Sequence, residues 1–113
     1  MGYYVDQRSQ HIQINAADLP AAQAAVDPEG EYPSLEEWLV DHEFEPTYDT
    51  DGDIVGLDFL SDRHGDEDEV LTALAPFVAS GSWIEWLGAE GEVYRHVFDG
   101  RKVEIVYATV SFP

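Results

Sequence analysis

Residues 82–107, SWIEWLGAEGEVYRHVFDGRKVEIVY, decide the fold. Three β-rich runs, Ser82–Leu87, Glu92–Phe98 and Arg101–Val110, are separated by Glu90-Gly91 and Asp99-Gly100. Glycine turns between runs of β-branched and aromatic residues specify an antiparallel meander. Further strands lie upstream. Ile12 and Ile14 alternate with polar residues over Gln10–Ile14, the period of a half-buried strand. Phe44–Tyr48 and Ile54–Leu60 flank Asp49-Thr50-Asp51-Gly52-Asp53, a hairpin turn in composition. Pro46 places the first of these two strands near an edge.

Helical signals fall between the strands. Asp18–Val26 is alanine-rich, with Pro20 in its first turn, where the missing N–H costs little. Ser34-Leu35-Glu36-Glu37 is a capping box. Leu35, Trp38, Leu39 and His42 then follow at the spacing of one helix face. Asp66–Val78 opens with Asp66, Glu67, Asp68 and Glu69, which suit the positive end of a helix dipole, and Pro76 should end its last turn. The expected fold is α+β in a single domain, 1–113. It has an antiparallel sheet of about six strands with two to three short helices on one face. Leu35, Trp38, Leu39, Leu71, Leu74, Phe77, Ile84, Val97, Ile105 and Val106 are the expected core.

Charge is the other dominant feature. Twenty-four acidic residues face five basic ones, a formal net charge of -19. The excess is uneven. Residues 41–69 hold twelve acids and one base, Arg63, whereas residues 80–113 hold five acids and three bases. Such asymmetry implies one strongly negative face. Its candidate members are Asp41, Glu43, Glu45, Asp49, Asp51, Asp53, Asp58, Asp62, Asp66, Glu67, Asp68 and Glu69. An acidic proteome, as in salt-adapted organisms, accounts for the same composition without a functional face.

The composition also excludes. With no cysteine there is no disulfide framework, thiolate metal site or cysteine nucleophile. No apolar run approaches the length of a membrane span, and MGYYVDQRSQ lacks the regions of a signal peptide. Asp6 stands where an N-myristoylation pattern needs Ser or Thr. A cytoplasmic protein with no membrane contact is expected. The turn at 49–53 resembles part of a calcium loop, but Thr47 occupies the first ligand position and strands replace the helices. It is read as an acidic turn, and no metal or cofactor is expected. No histidines pair at i+3 or i+4, and there is no GxSxG, Walker or Rossmann pattern. No catalytic residues are assigned, and a non-enzymatic role is expected. Direct nucleic-acid binding is disfavoured because phosphates would be repelled. Trp83, Trp86, Tyr94 and Tyr107 in the meander form an alternative, aromatic binding surface.

Met1-Gly2-Tyr3-Tyr4, Ile54-Val55-Gly56-Leu57, Gly81-Ser82-Trp83-Ile84-Glu85 and Gly91–Gly100 (GEVYRHVFDG) carry a resemblance. Through them the chain resembles small acidic proteins of bacteriophages and prophages, whose function is uncharacterised. The resemblance implies a setting in which small proteins bind and block host machinery, one solution being mimicry of DNA by arrayed carboxylates. The resulting expectation is a binding protein whose negative face engages a basic partner, such as a host nucleic-acid-processing or defence protein. The alternatives are a virion or assembly protein associating through the meander, and a small acidic metal-dependent enzyme or accessory factor. Whichever holds, self-repulsion at -19 destabilises the compact state at low ionic strength. The melting temperature should therefore rise with added sodium chloride or magnesium in a thermal scan. A flat response would mean that the charges are too dispersed to repel.

Overall fold

The computed structural model describes residues 4–108. The chain runs β1 (Val5–His11), α1 (Leu19–Val26), α2 (Leu35–Asp41), β2 (Phe44–Tyr48), β3 (Ile54–Phe59), α3 (Glu67–Leu74), β4 (Trp83–Gly88), β5 (Val93–Phe98) and β6 (Val103–Tyr107). Short 3-10 turns precede α1 and follow α3. The fold is α+β, and all strand pairs are antiparallel. The six strands form two sheets rather than one: a four-stranded sheet in the order β1-β4-β5-β6 and the separate hairpin β2-β3.

Local chemistry accounts for the elements. Ser34 accepts a hydrogen bond from the Glu37 N–H at 3.2 Å and starts α2. Pro76 ends α3 by tightening it into the 3-10 turn Ala75–Phe77. The meander turns at Gly91 and Gly100, whose φ values of 82° and 94° suit only glycine. Asp99 locks the second turn by accepting from the Arg101 and Lys102 N–H groups. The Lys102 and Arg101 backbone donors hold the Asp99 carboxyl below its usual pKa.

Strand alternation gives the large sheet two unlike faces. Ile84, Trp86, Tyr94, His96 and Phe98 point inward and are buried. Trp83, Glu85, Leu87, Val93, Arg95 and Val97 occupy the other face and stay partly open to solvent. The β2-β3 hairpin packs on the inner face, where Phe59 meets Trp86 edge-on at 5.2 Å and packs at a tilt against Phe44. The start of α3 lies over the same face, joined to His96 by Asp68. α1 in turn packs against α2 and α3.

The hairpin joins β1 largely through side chains. Among the described residues, isolated backbone bridges flank this contact at Tyr4–Arg63 and Ile14–Ile54. Between them the Gln7 carboxamide donates to the Leu57 carbonyl and accepts from the Phe59 N–H, both at 2.8 Å. Gln10 accepts from the Leu57 N–H and donates to Asp58, again at 2.8 Å. Two glutamine amides thus stand in for a strand ladder.

Six of the ten expected core residues, Leu35, Trp38, Leu39, Leu71, Leu74 and Ile84, are buried. Phe77 and Val97 are half-buried. Ile105 and Val106 depart from expectation, at 43% and 48% exposed. β6 is the last strand of the sheet, beyond the reach of the helices. The expected third run extended to Val110, and residues 109–110 lie outside the described residues. Leu74→Ala should cost about 2–5 kcal/mol in denaturant unfolding, since its site is fully enclosed. Gln7→Ala should cost about 1–3 kcal/mol by leaving the Leu57 carbonyl and Phe59 N–H unpaired. An effect near zero for Gln7→Ala would show that the glutamine ladder holds nothing together.

Candidate functional site

α2 carries its acids to a sharp corner. Leu35, Trp38 and Leu39 face the core, which turns Glu36, Glu37 and Asp41 outward. His42 closes the helix, its ring lying 4.4 Å from that of Trp38 and its Nδ1 2.7 Å from the Trp38 carbonyl. Glu43 follows with φ 72°, alone among the described non-glycine residues in having positive φ. Glycine or asparagine is the usual occupant of this helix-terminating position. A side chain there costs roughly 1–2 kcal/mol. Buried Phe44 then draws the chain into β2.

Two clefts meet at this corner. One, of about 550 Å³, is lined by Tyr32, Glu36, Glu37, Val40, Asp41 and Glu43. The other, of about 280 Å³, shares Asp41 and Glu43 and adds Asp66, Arg63, His42 and His64 among its lining residues. Five carboxylates, Glu36, Glu37, Asp41, Glu43 and Asp66, therefore border one continuous surface. The Tyr32 hydroxyl donates to Asp41 at 2.5 Å, and that bond raises the phenol's pKa. Glu36 and Glu37 are acids that lie outside the sequence-derived set. Glu37 and Asp41 stand at i and i+4 on a short helix, the spacing at which like charges share a face, and that signal was available.

The remaining acids of 41–69 disperse around the domain. Glu45 and Asp58 face each other across β2-β3, both exposed. Asp49, Asp51 and Asp53 sit together in the hairpin turn, with carboxylate oxygens within 4.8 Å of one another. Asp49 accepts from the Asp51 and Asp53 N–H groups of the turn, and Asp53 ties the turn to the segment after β1 by accepting from Ala16 N–H and Gln13 Nε2. Asp62 is exposed in the loop before α3, and Glu69 is exposed on α3. None of the twelve carboxylates pairs with Lys or Arg among the described residues.

Glu67 does not belong to a surface at all. It is 1% exposed, accepting from the Gly65 N–H at 2.7 Å and pairing with His64 Nδ1. The other nitrogen of His64 lies 3.0 Å from the Tyr94 hydroxyl. Trp86 and Tyr94, expected on an aromatic surface, are interior for the same reason. Alternation turns them to the inner face, at 0% and 5% exposure. Burial first, then the charges of Glu67 and Asp68, push the Tyr94 hydroxyl upward, so it stays protonated. Of the expected aromatic surface, Tyr107 is exposed and Trp83 is half-buried beneath the Arg95 guanidinium, 3.9 Å above its ring.

A second histidine anchors α3. Trp86 Nε1 donates to His96 Nδ1 at 2.8 Å, and His96 Nε2 meets Asp68 at 2.6 Å. Indole only donates, so Nδ1 is the acceptor and the imidazole proton sits on Nε2, directed at Asp68. Burial lowers the pKa of His96, opposed by the hydrogen bond and charge of Asp68.

No family model, curated protein or solved structure matches this chain.

The outer face of the sheet has a different character from the clefts. Glu85 accepts from Arg95 at 2.9 Å and lies 3.9 Å from Arg8. Lys102 pairs with Glu104 at 3.5 Å. Four of the five basic residues, Arg8, Arg95, Arg101 and Lys102, thus belong to the four-stranded sheet or its last turn. The clefts contain only Arg63, which is held against Tyr4.

The His96 arrangement yields a pH test. Its folded pKa lies below the reference of 6.5, so the unfolded chain binds the proton more readily. His96 therefore contributes stability above about pH 6.5, which is lost as pH falls toward the lowered folded value. Replacing it by Gln should cost about 1–3 kcal/mol at neutral pH through the unpaired Trp86 N–H. The gap between wild type and His96→Gln in chemical denaturation should narrow on acidification below that point. A gap that widens would mean that His96 is charged in the fold.

Proposed function

We propose that this is a non-enzymatic binding protein whose acidic clefts engage a basic protein surface, in the manner of a DNA mimic or inhibitor. The observation that carries it is the unpaired set Glu36, Glu37, Asp41, Glu43 and Asp66 around two joined clefts. No Lys or Arg forms an ion pair with these groups among the described residues, and Arg63 is the one Lys or Arg that lines the clefts. Uncompensated carboxylates repel one another and gain from a cationic partner that releases the strain. The backbone at Glu43 supports the same reading. A costly conformation placing a carboxylate between both clefts is the kind of local strain found at binding sites.

The resemblance to small acidic phage proteins supplies the context: a partner among host enzymes that handle nucleic acid. Such enzymes expose basic grooves shaped for phosphates. Of the two imidazoles lining the second cleft, His64 has both nitrogens engaged by Glu67 and Tyr94, and His42 has its Nδ1 against the Trp38 carbonyl.

The test uses charge reversal. The set Glu36, Glu37, Asp41 and Glu43 to Lys should abolish capture of a basic nucleic-acid-binding partner. Reversal at Glu90 and Glu104 should leave it intact. Captured partner should also elute with duplex DNA and with rising salt. Glu43→Gly should weaken capture while leaving stability equal or higher by up to about 1 kcal/mol, since glycine relieves the positive φ. Capture lost only with the Glu90 and Glu104 pair, or indifferent to DNA, would move the binding surface away from the clefts.

A further inference from the structure

The two edges of the four-stranded sheet are treated in opposite ways. β1 is guarded: its register shifts between Gln7 and Ser9, and the Gln7 and Gln10 amides close it against β3. Bulges and covering segments are ordinary protection for an edge. β6 has none of these among the described residues. It is regular along its whole pairing with β5. Ile105, Val106 and Tyr107 are 43%, 48% and 63% exposed. A straight apolar edge of this kind is a template for another strand.

The hydrogen-bond parity of β6 fixes how a strand would add. The Ala108 N–H donates to the Val93 carbonyl. In an antiparallel ladder alternate residues bond to the same neighbour. Glu104, Val106 and Ala108 therefore direct their N–H and C=O groups toward β5. Val103, Ile105 and Tyr107 direct theirs outward.

We propose that β6 pairs with β6 of a second copy of this chain, antiparallel about a two-fold axis through Ile105, making one continuous eight-stranded sheet. In that register Ile105 meets the second copy's Ile105, and Val103 meets its Tyr107. Every outward N–H and C=O of the strand finds a partner. Side chains match as well. The apolar inner-face residues meet each other, and Glu104, the only acid of β6, falls opposite Val106. No carboxylate faces a carboxylate across the seam.

Charge favours a second copy on the sheet side over the cleft side. At -19 two copies repel through their cleft sides. The sheet side is where Arg8, Arg95 and Lys102 balance Glu85 and Glu104. A cationic protein, the partner suited to the clefts, gains little from this near-neutral edge. The inference is independent of what the clefts bind. Because a two-fold normal to the sheet keeps both inner faces on one side, the dimer presents both copies' clefts on the same side.

The experiment is sedimentation of the full chain over a concentration series in moderate salt, where repulsion is screened. A dimer is expected, weakening as salt is removed. Ile105→Lys should yield monomer with an unchanged circular-dichroism spectrum. Leu60→Lys, the same charge change at a similarly exposed apolar position after β3, should leave the dimer intact. The register is read by cysteine. Facing residues in a hydrogen-bonded antiparallel pair stand about 5.5 Å apart at Cα, within the roughly 4.4–6.8 Å a disulfide spans. In a chain without native cysteine, Ile105→Cys should oxidise rapidly to a covalent dimer and Val106→Cys slowly. A wild type monomeric at all concentrations, a dimer surviving Ile105→Lys, or equal oxidation at 105 and 106 would each overturn the proposal.

Discussion

The indole of Trp86 is where the molecule is held together. Its edge-on contact with Phe59 fastens the β2-β3 hairpin to the large sheet. Its N–H, passed through His96 to Asp68, fastens α3. A side chain with a large apolar body and one donor can serve both purposes only if it is enclosed and its donor satisfied. Both conditions are met, since Trp86 is fully buried and no buried side-chain polar atom lacks a partner among the described residues. With hairpin and helix gathered on one face, the other face of the sheet stays open. That one-sidedness sets the densest run of acids apart from most of the bases. The acidic segment 41–69 forms the covering layer, and most bases are carried by the sheet beneath it.

Much of this layout is legible in residues 82–107, because a meander is specified locally by alternation and by glycine at two turns. The Ser34 cap and the proline stop at Pro76 are equally local, and both are found, although the capping box is only half formed, with Ser34 accepting from the Glu37 N–H. Tertiary facts were not legible. Alternation predicts that Trp86 and Tyr94 share a face, but not which face is covered. That is settled by where the hairpin lands. Ile105 and Val106 carry the same strand signal as Ile84, and only their place at the sheet's end leaves them exposed. The division into two sheets rests on Gln7 and Gln10, polar residues whose sequence gives no sign that their amides replace backbone partners.

The acidic set shows the same boundary between local and tertiary information. Charge counting located the segment but not its geometry. Glu67 looked like one more acid favoured at a helix start, yet it is buried against His64 and Gly65. Asp49 spends an oxygen on backbone donors of the turn, and Asp53 spends its oxygens on the Ala16 N–H and the Gln13 amide. Glu36 and Glu37 belong with Asp41 and Glu43 because a short helix and a left-handed residue fold that corner back on itself. Positive φ at a glutamate cannot be anticipated from composition, where glycine is the usual sign of such a corner.

The glutamine ladder between β1 and β3 gives the junction an unusual dynamic signature. A backbone ladder opens only when strands separate. An N–H bonded to a side-chain carbonyl is released by rotation of that side chain, a fast and local event. The amide protons of Leu57 and Phe59, bonded to Gln10 and Gln7, therefore exchange with solvent deuterium through side-chain rotation. Those of β5, paired to backbone on both sides, exchange only when the sheet itself opens. The two sheets are thus parts of one folded unit joined by a seam that breathes independently of either.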